Sequence, residues 1–264
     1  VRSLHSFPGE KSRPLTGSRE VEEGLMSITS MRVFSAAAVL AAAVAATATA
    51  GNGVPAVEFD LSVNGEQEIF NPNGTDVGGG VYNYMGSMIG ETGWTFEYDL
   101  NAKPDPFISG NIVFTNNTLE TLTVSFTVIL PVTPALSSSF IGGSVAGGLT
   151  AGADGGTLSS TGGNAMWSAL IDGNVVATLL DDPFSVSADP FQSAAVGPES
   201  FGSPIPSMPG PAINDTMAIT ISFDLTAGAS ASFTSVFVAE AIPGPAGLAL
   251  FGLAGVVSRR RRRA

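Results

Sequence analysis

Apolar and polar residues alternate with a period of two over most of the chain between residues 51 and 241. Residues 57–63 alternate without a fault, and residues 94–100 repeat the pattern. Because successive side chains of an extended strand point to opposite faces, each stretch predicts a β-strand with one buried face. Residues 217–225 also alternate strictly, and they are predicted to form the final pair of strands with residues 233–237, which complete the sheet.

Turn signals predict how some of these strands are connected. Residues 112–114 and 122–130 flank a polar turn at residues 116–118, so we expect an antiparallel pair with a short connection. The step from Asp172 to Gly173 separates two apolar runs, which is typical of a hairpin. A second pair of strands is therefore predicted there.

Glycine and proline dominate the rest of the region. Residues 141–149 predict a strand, residues 151–163 a glycine-rich loop, and residues 190–211 a long proline-rich surface loop. Eight to ten short strands without a convincing internal helix indicate an all-β domain. The expected architecture is an antiparallel β-sandwich or jelly roll, flanked by an N-terminal signal helix and a C-terminal hydrophobic helix.

The segment before this domain has the layout of an export signal. Arg32 precedes an alanine-rich apolar stretch at residues 33–46. The small residues Ala48 and Ala50 then predict cleavage before Gly51.

Residues 1–30 have a different character, because they are polar and charged without a periodic apolar pattern. We expect them to lie upstream of the true start codon, with Met26 as an alternative start. An amphipathic or regulatory segment is the competing interpretation. The chain is thus divided into a leader (1–30), a signal peptide (31–50), an acidic β-sandwich (51–240) and a C-terminal tail (241–264).

The tail combines three features in a fixed order. Pro243, Gly244 and Pro245 precede an apolar run at residues 246–257, and five arginines follow: Arg259, Arg260, Arg261, Arg262 and Arg263. A helix over the twelve apolar residues would cover about 18 Å, which is short against a hydrocarbon core of about 30 Å. Snorkelling arginines and a thinned bilayer would permit transient spanning, with the arginines on the cytoplasmic side. The alternative is a disordered tail with a nucleic-acid-binding basic block.

This layout resembles the PEP-CTERM sorting tail of Gram-negative bacteria, over residues 242–263. Gly244 stands where that family has a central Glu. The resemblance implies passage through the inner membrane and cleavage near residues 243–245 by an exosortase-like processing enzyme. It also implies delivery to the cell surface or to extracellular polysaccharide.

Charge excludes several classes of function for the domain. Residues 51–241 contain nineteen Asp and Glu, one basic residue (Lys103), no His and no Cys, which gives a formal charge of −18. A Ser-His-Asp triad, a Cys-His dyad and an ordinary zinc site are therefore excluded. Without arginine there is no bidentate phosphate clamp, and the acidity repels nucleic acids. We expect a protein that is not an enzyme.

Carboxylates leave two chemical hypotheses. Glu97 and Asp99 share one strand face and have a suitable spacing for glycoside hydrolysis. The solvated face of an amphipathic strand is the favoured explanation, because Glu58 and Asp60 repeat the same alternation. Calcium is the candidate cofactor, since hard oxygen ligands on loops suit it, and ordinary Asx-turns are the alternative. The candidate ligands are Asp181, Asp182 and Asp189, with Asn71, Asn73 and Asp76 in a glycine-rich stretch.

Aromatic residues and glycosylation patterns complete the candidates. Tyr82, Tyr84 and Trp94 would form a platform for stacking sugars if they are exposed, whereas core packing is the alternative. Three Asn-X-Thr patterns are interpreted as chance matches in turns. They begin at Asn73, Asn116 and Asn214.

Together these observations predict an exported surface or matrix protein with a structural or adhesive role. The alternative is a surface module that binds carbohydrate, such as exopolysaccharide, and a third hypothesis is a carboxylate-based glycosidase. Exposed coplanar aromatics would favour the second, and a cleft with two facing acids would favour the third.

Overall fold

A computed structural model describes residues 53–242, which form sixteen β-strands in two antiparallel sheets. The first sheet has the order β11-β10-β15-β7-β1-β2, with β9 also paired to β15 and β12 paired to β9. Its strands are β1 (Glu58–Val63), β2 (Glu66–Phe70), β7 (Leu122–Pro131), β9 (Gly156–Ser159), β10 (Trp167–Ile171), β11 (Asn174–Leu179), β12 (Ser185–Ala188) and β15 (Thr216–Leu225).

The second sheet has the order β13-β8-β16-β6-β5-β4-β3, with β14 also paired to β8. Its strands are β3 (Thr75–Gly78), β4 (Val81–Ile89), β5 (Trp94–Lys103), β6 (Phe107–Asn116), β8 (Ser139–Thr150), β13 (Ser193–Phe201), β14 (Met208–Gly210) and β16 (Ser230–Ala241). The prediction of an all-β antiparallel domain is confirmed.

The two sheets pack face to face through aromatic side chains on their inner faces. Phe59 of the first sheet meets Tyr98 of the second at 4.9 Å between ring centroids, and Phe96 meets Phe126 at 4.8 Å. Trp167 is fully buried, and its Nε1 donates a hydrogen bond to Ser235 Oγ at 2.6 Å across the sandwich. A β-sandwich is the arrangement that buries one face of each sheet in this way.

The alternating stretches became strands with the predicted faces inward. β1, β5 and β15 cover the three predicted segments to within one residue. Their apolar positions face the core and are buried, except that Trp94 and Tyr98 of β5 are partly buried. The hairpin at Asp172 and Gly173 is also confirmed, because β10 and β11 pair across it. Both turn residues have positive φ, as this type of tight hairpin requires.

Two connections differ from the prediction. The strands β6 and β7 do not pair, since β6 lies between β5 and β16 while β7 lies between β1 and β15. Residues 117–121 therefore cross from one sheet to the other, and residues 226–229 do the same between β15 and β16.

Two predicted loops contain strands. Residues 190–211 form β13 and β14, which both pair with β8 at the edge of the second sheet. Residues 151–163 contain β9. Glycine, serine and proline weaken the apolar-polar alternation in these strands. β13 and β14 are edge strands, which tolerate proline because one side of an edge strand needs no backbone partner. The terminal helices expected on either side of the domain lie outside the described residues.

Candidate functional site

A shallow hollow lies on the outer face of the second sheet, where β4, β5 and β6 run side by side. Its volume is about 460 Å³, and it is open to solvent. The lining residues are Met85, Gly86, Ser87, Glu97, Tyr98, Asp99, Asn111 and Val113. We refer to these residues as the outer hollow.

Strand alternation places the two carboxylates of the outer hollow. Phe96 and Leu100 of β5 are buried, so Glu97 and Asp99 between them point outward. In the register of the sheet, Asp99 lies opposite both Met85 and Asn111. The prediction that the two acids share one strand face is confirmed.

The carboxylates have defined neighbours. Asn83 Nδ2 donates a hydrogen bond to Asp99 Oδ1 at 2.6 Å, which fixes that carboxylate on the sheet surface. Glu97 lies opposite Ser87 and Val113, which bring a hydroxyl and an apolar side chain to it. The outer hollow thus combines acceptors, a hydroxyl, an amide and the exposed thioether of Met85.

This geometry suits hydrogen bonding better than glycoside hydrolysis. Hydrolysis needs two carboxyl groups that flank the scissile bond. Glu97 and Asp99 are two residues apart on one strand, so both reach a bound ring from the same side. The arrangement places hydrogen-bond acceptors on one side of the outer hollow.

The candidate calcium ligand Asp189 lies apart from Asp181 and Asp182. Asp181 and Asp182 precede β12, whereas Asp189 follows it, and a four-residue strand spans about 13 Å. Asp182 accepts a hydrogen bond from Ser160 Oγ at 2.5 Å, so Asp182 acts as a turn acceptor. Across residues 53–242, no three Asp, Glu, His or Cys side chains are grouped to hold a metal ion.

Two of the candidate calcium ligands in the glycine-rich stretch form hydrogen bonds with the backbone instead. Asp76 Oδ1 accepts the N–H of Gly78 at 2.8 Å, which is an Asx-turn. Asn71 Nδ2 donates to the Val57 carbonyl at 3.0 Å and holds the chain beside β1. Asn73 is exposed in the same stretch.

The three aromatic candidates pack against the core and form no platform. Tyr84 is fully buried, and its hydroxyl donates to the Pro55 carbonyl at 2.7 Å. Burial, followed by the nearby Tyr82, raises the pKa of Tyr84 to about 12. Trp94 stacks on Phe114 with ring centroids 5.6 Å apart.

The three Asn-X-Thr patterns differ in accessibility. Asn116 is fully buried, where its Nδ2 donates to the Glu120 and Leu225 carbonyls and its Oδ1 accepts from Thr118. Asn73 and Asn214 are exposed. Asn116 therefore serves as a structural anchor for the loop between the sheets.

Asp172 is a polar centre that the sequence interpretation treated only as a turn residue. Its carboxylate accepts hydrogen bonds from the backbone N–H groups of Asn214, Asp215 and Thr216, and from Asn214 Nδ2. Burial alone would raise the pKa of Asp172, but these four donors together lower it below its ordinary value. The Asp-Gly dipeptide was enough to place Asp172 in a turn. Its hydrogen-bond donors could not be predicted, because they lie more than forty residues later in the sequence.

Paired hydroxyl groups on the outer faces were also missed. Five cross-strand pairs form side-chain hydrogen bonds: Thr115 with Ser230, Ser125 with Ser222, Thr127 with Thr220, Thr150 with Ser193, and Thr157 with Ser187. Their oxygen–oxygen distances are between 2.7 and 3.2 Å. The polar positions of each alternating strand show in the sequence that these hydroxyl groups face outward. Which hydroxyl groups meet depends on the strand register, which the sequence does not show.

No family model and no curated protein matches the chain. Among residues 53–242 there is no helix with the length and apolar character needed to cross a membrane. The predicted export and sorting residues lie outside the described part of the chain. They are Ala48, Ala50, Gly51, Pro243, Gly244, Pro245, Arg259, Arg260, Arg261, Arg262 and Arg263.

Proposed function

We propose that this protein is exported and acts as a structural or adhesive protein at the cell surface or in extracellular polysaccharide. The signal-like segment at residues 31–50 and the sorting-like tail at residues 241–264 support this destination. In this proposal the tail contacts the membrane and is a substrate for an exosortase-like enzyme. The domain itself carries the surface role.

The outward placement of the polar groups is the observation that carries the proposal. The inner faces form one apolar core, whereas the carboxylates and the paired hydroxyls lie on the outer faces and loops. A stable sandwich that presents a dense array of acceptors and hydroxyls is suited to contacts with a hydrated matrix. Its stability comes from the core, since the chain contains no cysteine.

Intact mass of the protein from membrane and extracellular fractions of the producing cells tests this destination. We expect an extracellular species that begins near Gly51 and ends near Pro243. A species that retains Arg259–Arg263 in the inner membrane would contradict sorting. Protease treatment of whole cells should also cleave the exposed domain, and complete protection would contradict surface display.

Carbohydrate binding is the second candidate, because the outer hollow presents Glu97, Asp99 and Ser87 on one open face. Affinity electrophoresis in gels with dextran or soluble β-glucan would measure it. We expect retardation that Glu97→Gln with Asp99→Asn removes. Glu58→Gln with Glu68→Gln, on the first sheet, is the matched control and should leave retardation unchanged.

A further inference from the structure

One end of the sandwich presents apolar side chains to solvent. The register partners Ile89, Thr95, Thr115, Ser230, Thr150 and Ser193 form a single row across six strands of the second sheet. We call the loops beyond this row the distal end. They are residues 90–93, 117–121, 151–155, 189–192 and 226–229.

The three most exposed large apolar side chains of residues 53–242 lie at this end. Leu119 is 97% exposed, Ile89 is 81% exposed and Phe191 is 74% exposed. They belong to separate parts of the chain and reach the same end through the sheet topology. Six adjacent strands span about 24 Å, which corresponds to the width of a protein interface rather than of a small-molecule site.

Hydrogen bonds hold these loops in place. Asn116 is buried and binds the loop that carries Leu119 through the Glu120 carbonyl and the Thr118 N–H. The Phe191 N–H donates to the Gly152 carbonyl at 3.0 Å. An apolar side chain on a fixed loop loses little conformational entropy on binding, so these side chains are preorganised as anchors.

Phe191 also has an unfavourable backbone conformation. Its φ is +59°, in the left-handed region that bulky residues avoid. Asparagine or glycine would satisfy this turn with less strain and without an exposed ring. Strained, exposed residues of this kind are typical of binding sites rather than of folding.

The charges at the distal end have one sign. Glu91, Glu120, Asp154 and Asp189 are all exposed in these loops. Lys103, the one basic residue of residues 51–241, lies at the opposite end, where β5 turns into β6. A second copy of this acidic domain, an anionic lipid surface and nucleic acid are therefore all repelled.

We infer that the distal end is a docking surface for a positively charged protein that presents apolar side chains. Charge complementarity selects the basic partner, and Leu119, Phe191 and Ile89 supply the apolar anchors. Polysaccharide is a poorer match, since Phe191 is the only aromatic side chain in these five loops. The inference rests on the adhesive function proposed above and names its partner class.

The position of the distal end fits this role. Ile242, from which the tail continues, donates its N–H to the Ser138 carbonyl at the opposite end of β16. β16 has twelve residues, which span about 40 Å. The docking surface therefore lies far from the point where the tail begins.

Titration of the purified full chain with a lysine-leucine amphipathic peptide tests the inference. We expect Leu119→Ser with Phe191→Asn to weaken binding at least tenfold. The matched control, Val77→Ser with Val175→Ser, removes two exposed apolar side chains at the opposite end and should leave affinity unchanged. Glu120→Gln with Asp189→Asn should reduce the salt dependence of binding, whereas Asp215→Asn with Glu240→Gln should not.

Phe191→Asn alone separates binding from folding. Relief of strain should leave the unfolding midpoint unchanged or raised while affinity falls. A lower midpoint would overturn the binding role of Phe191. Equal weakening by the distal and control variants would overturn the site, because binding would then be diffuse electrostatic attraction.

Other occupants give distinct results. Binding of a glutamate-leucine peptide or of anionic vesicles would overturn the partner class. Self-association of the chain that Leu119→Ser and Phe191→Asn abolish would identify a second copy and overturn it as well. Failure of export or sorting would appear in the intact mass and would leave these affinities unchanged.

Discussion

At the scale of single residues, two buried or half-buried polar groups fix the loops at one end of the sandwich. Asp172 gathers four donors from residues 214–216, and Tyr84 ties β4 to the chain before β1 through Pro55. Each group has a pKa that differs between the folded and the unfolded chain. Each therefore predicts a change of stability with pH.

Asp172 predicts a loss of stability in acid. Its folded pKa lies below its ordinary value, so its contribution is present above about pH 4 and is lost as pH falls through the folded pKa. We expect Asp172→Asn to cost about 1–3 kcal/mol at pH 7 and to flatten the acid limb, because an amide cannot accept all four donors.

Urea unfolding between pH 2 and pH 7 would measure this effect. Asp215→Asn is the matched control, since Asp215 lies in the same loop and contributes only its N–H to Asp172. An acid limb of unchanged slope in Asp172→Asn would show that other carboxylates dominate acid unfolding.

Tyr84 predicts the opposite pH dependence. Its folded pKa of about 12 exceeds the ordinary value of 10, so the neutral phenol favours the folded chain. Its contribution is present below pH 10 and is lost as pH rises towards and through 12, by at most about 1.4 kcal/mol per pH unit. Tyr84→Phe should be less stable at pH 7 and should have a flatter alkaline limb.

Thermal unfolding between pH 8 and pH 11.5 tests this prediction. Tyr82→Phe is the control, because Tyr82 is only partly buried against the core. Equal alkaline slopes in Tyr84→Phe and in the unchanged chain would contradict the assignment.

At the scale of elements, glycines allow aromatic rings to pack across neighbouring strands. A Cβ at Gly90 would overlap the indole ring of Trp94, which is held by its stack on Phe114. We expect Gly90→Ala to destabilise the β4–β5 hairpin by about 1–3 kcal/mol through overpacking. Gly162→Ala is the control, since no atom lies within 4 Å of a Cβ there.

Urea unfolding followed by tryptophan fluorescence would compare the two variants. The Gly90→Ala spectrum should also change before unfolding, because the Trp94 ring must shift. If Gly90→Ala is as stable as Gly162→Ala, the ring is free to move and the hairpin is not packed as described.

The burial and composition of each strand explain whether the sequence could predict it. β1, β5 and β15 turn every second side chain towards the core, so their apolar-polar alternation was sufficient to predict them. β9 and β13 are short or irregular and rich in glycine, alanine and serine, and they lack that signal. The choice of sheet also has no local signal, which is why the pairing of β6 with β7 was predicted wrongly.

The candidate sites divide in a similar way. Alternation was enough to place Glu97 and Asp99 outward on β5, but the neighbours that complete the outer hollow come from β4 and β6 through the register. The aromatic positions at 82, 84 and 94 look alike in sequence whether they face solvent or core. Leu119 and Phe191 gave no signal, since their exposure depends on loop conformation.

At the scale of the whole molecule, the described domain carries many like charges and one ion pair, between Lys103 and Asp105 at 2.8 Å. Nineteen acidic residues against one lysine give residues 51–241 a formal charge of −18. Mutual repulsion of these carboxylates opposes the compact state more than the expanded one. The free energy gained by burying the core between the sheets must therefore exceed the free energy of this repulsion.

Salt should therefore stabilise the protein. The screening length falls from about 30 Å at 0.01 M to about 10 Å at 0.1 M, which is shorter than the width of the sheets. We expect the melting temperature at pH 7 to rise by several degrees over this range of sodium chloride, with most of the rise complete near 0.1 M. Scanning calorimetry at each salt concentration would measure it.

A charge-reduced variant separates screening from general salt effects. Glu66→Gln, Glu68→Gln, Glu91→Gln and Glu240→Gln remove four exposed charges, and each of these residues is solvent-accessible. This variant should start from a higher melting temperature at 0.01 M and respond less to salt. An equal response in both proteins would mean that salt acts on hydrophobic hydration rather than on repulsion, and the acidity would then serve partner selection without a cost in stability.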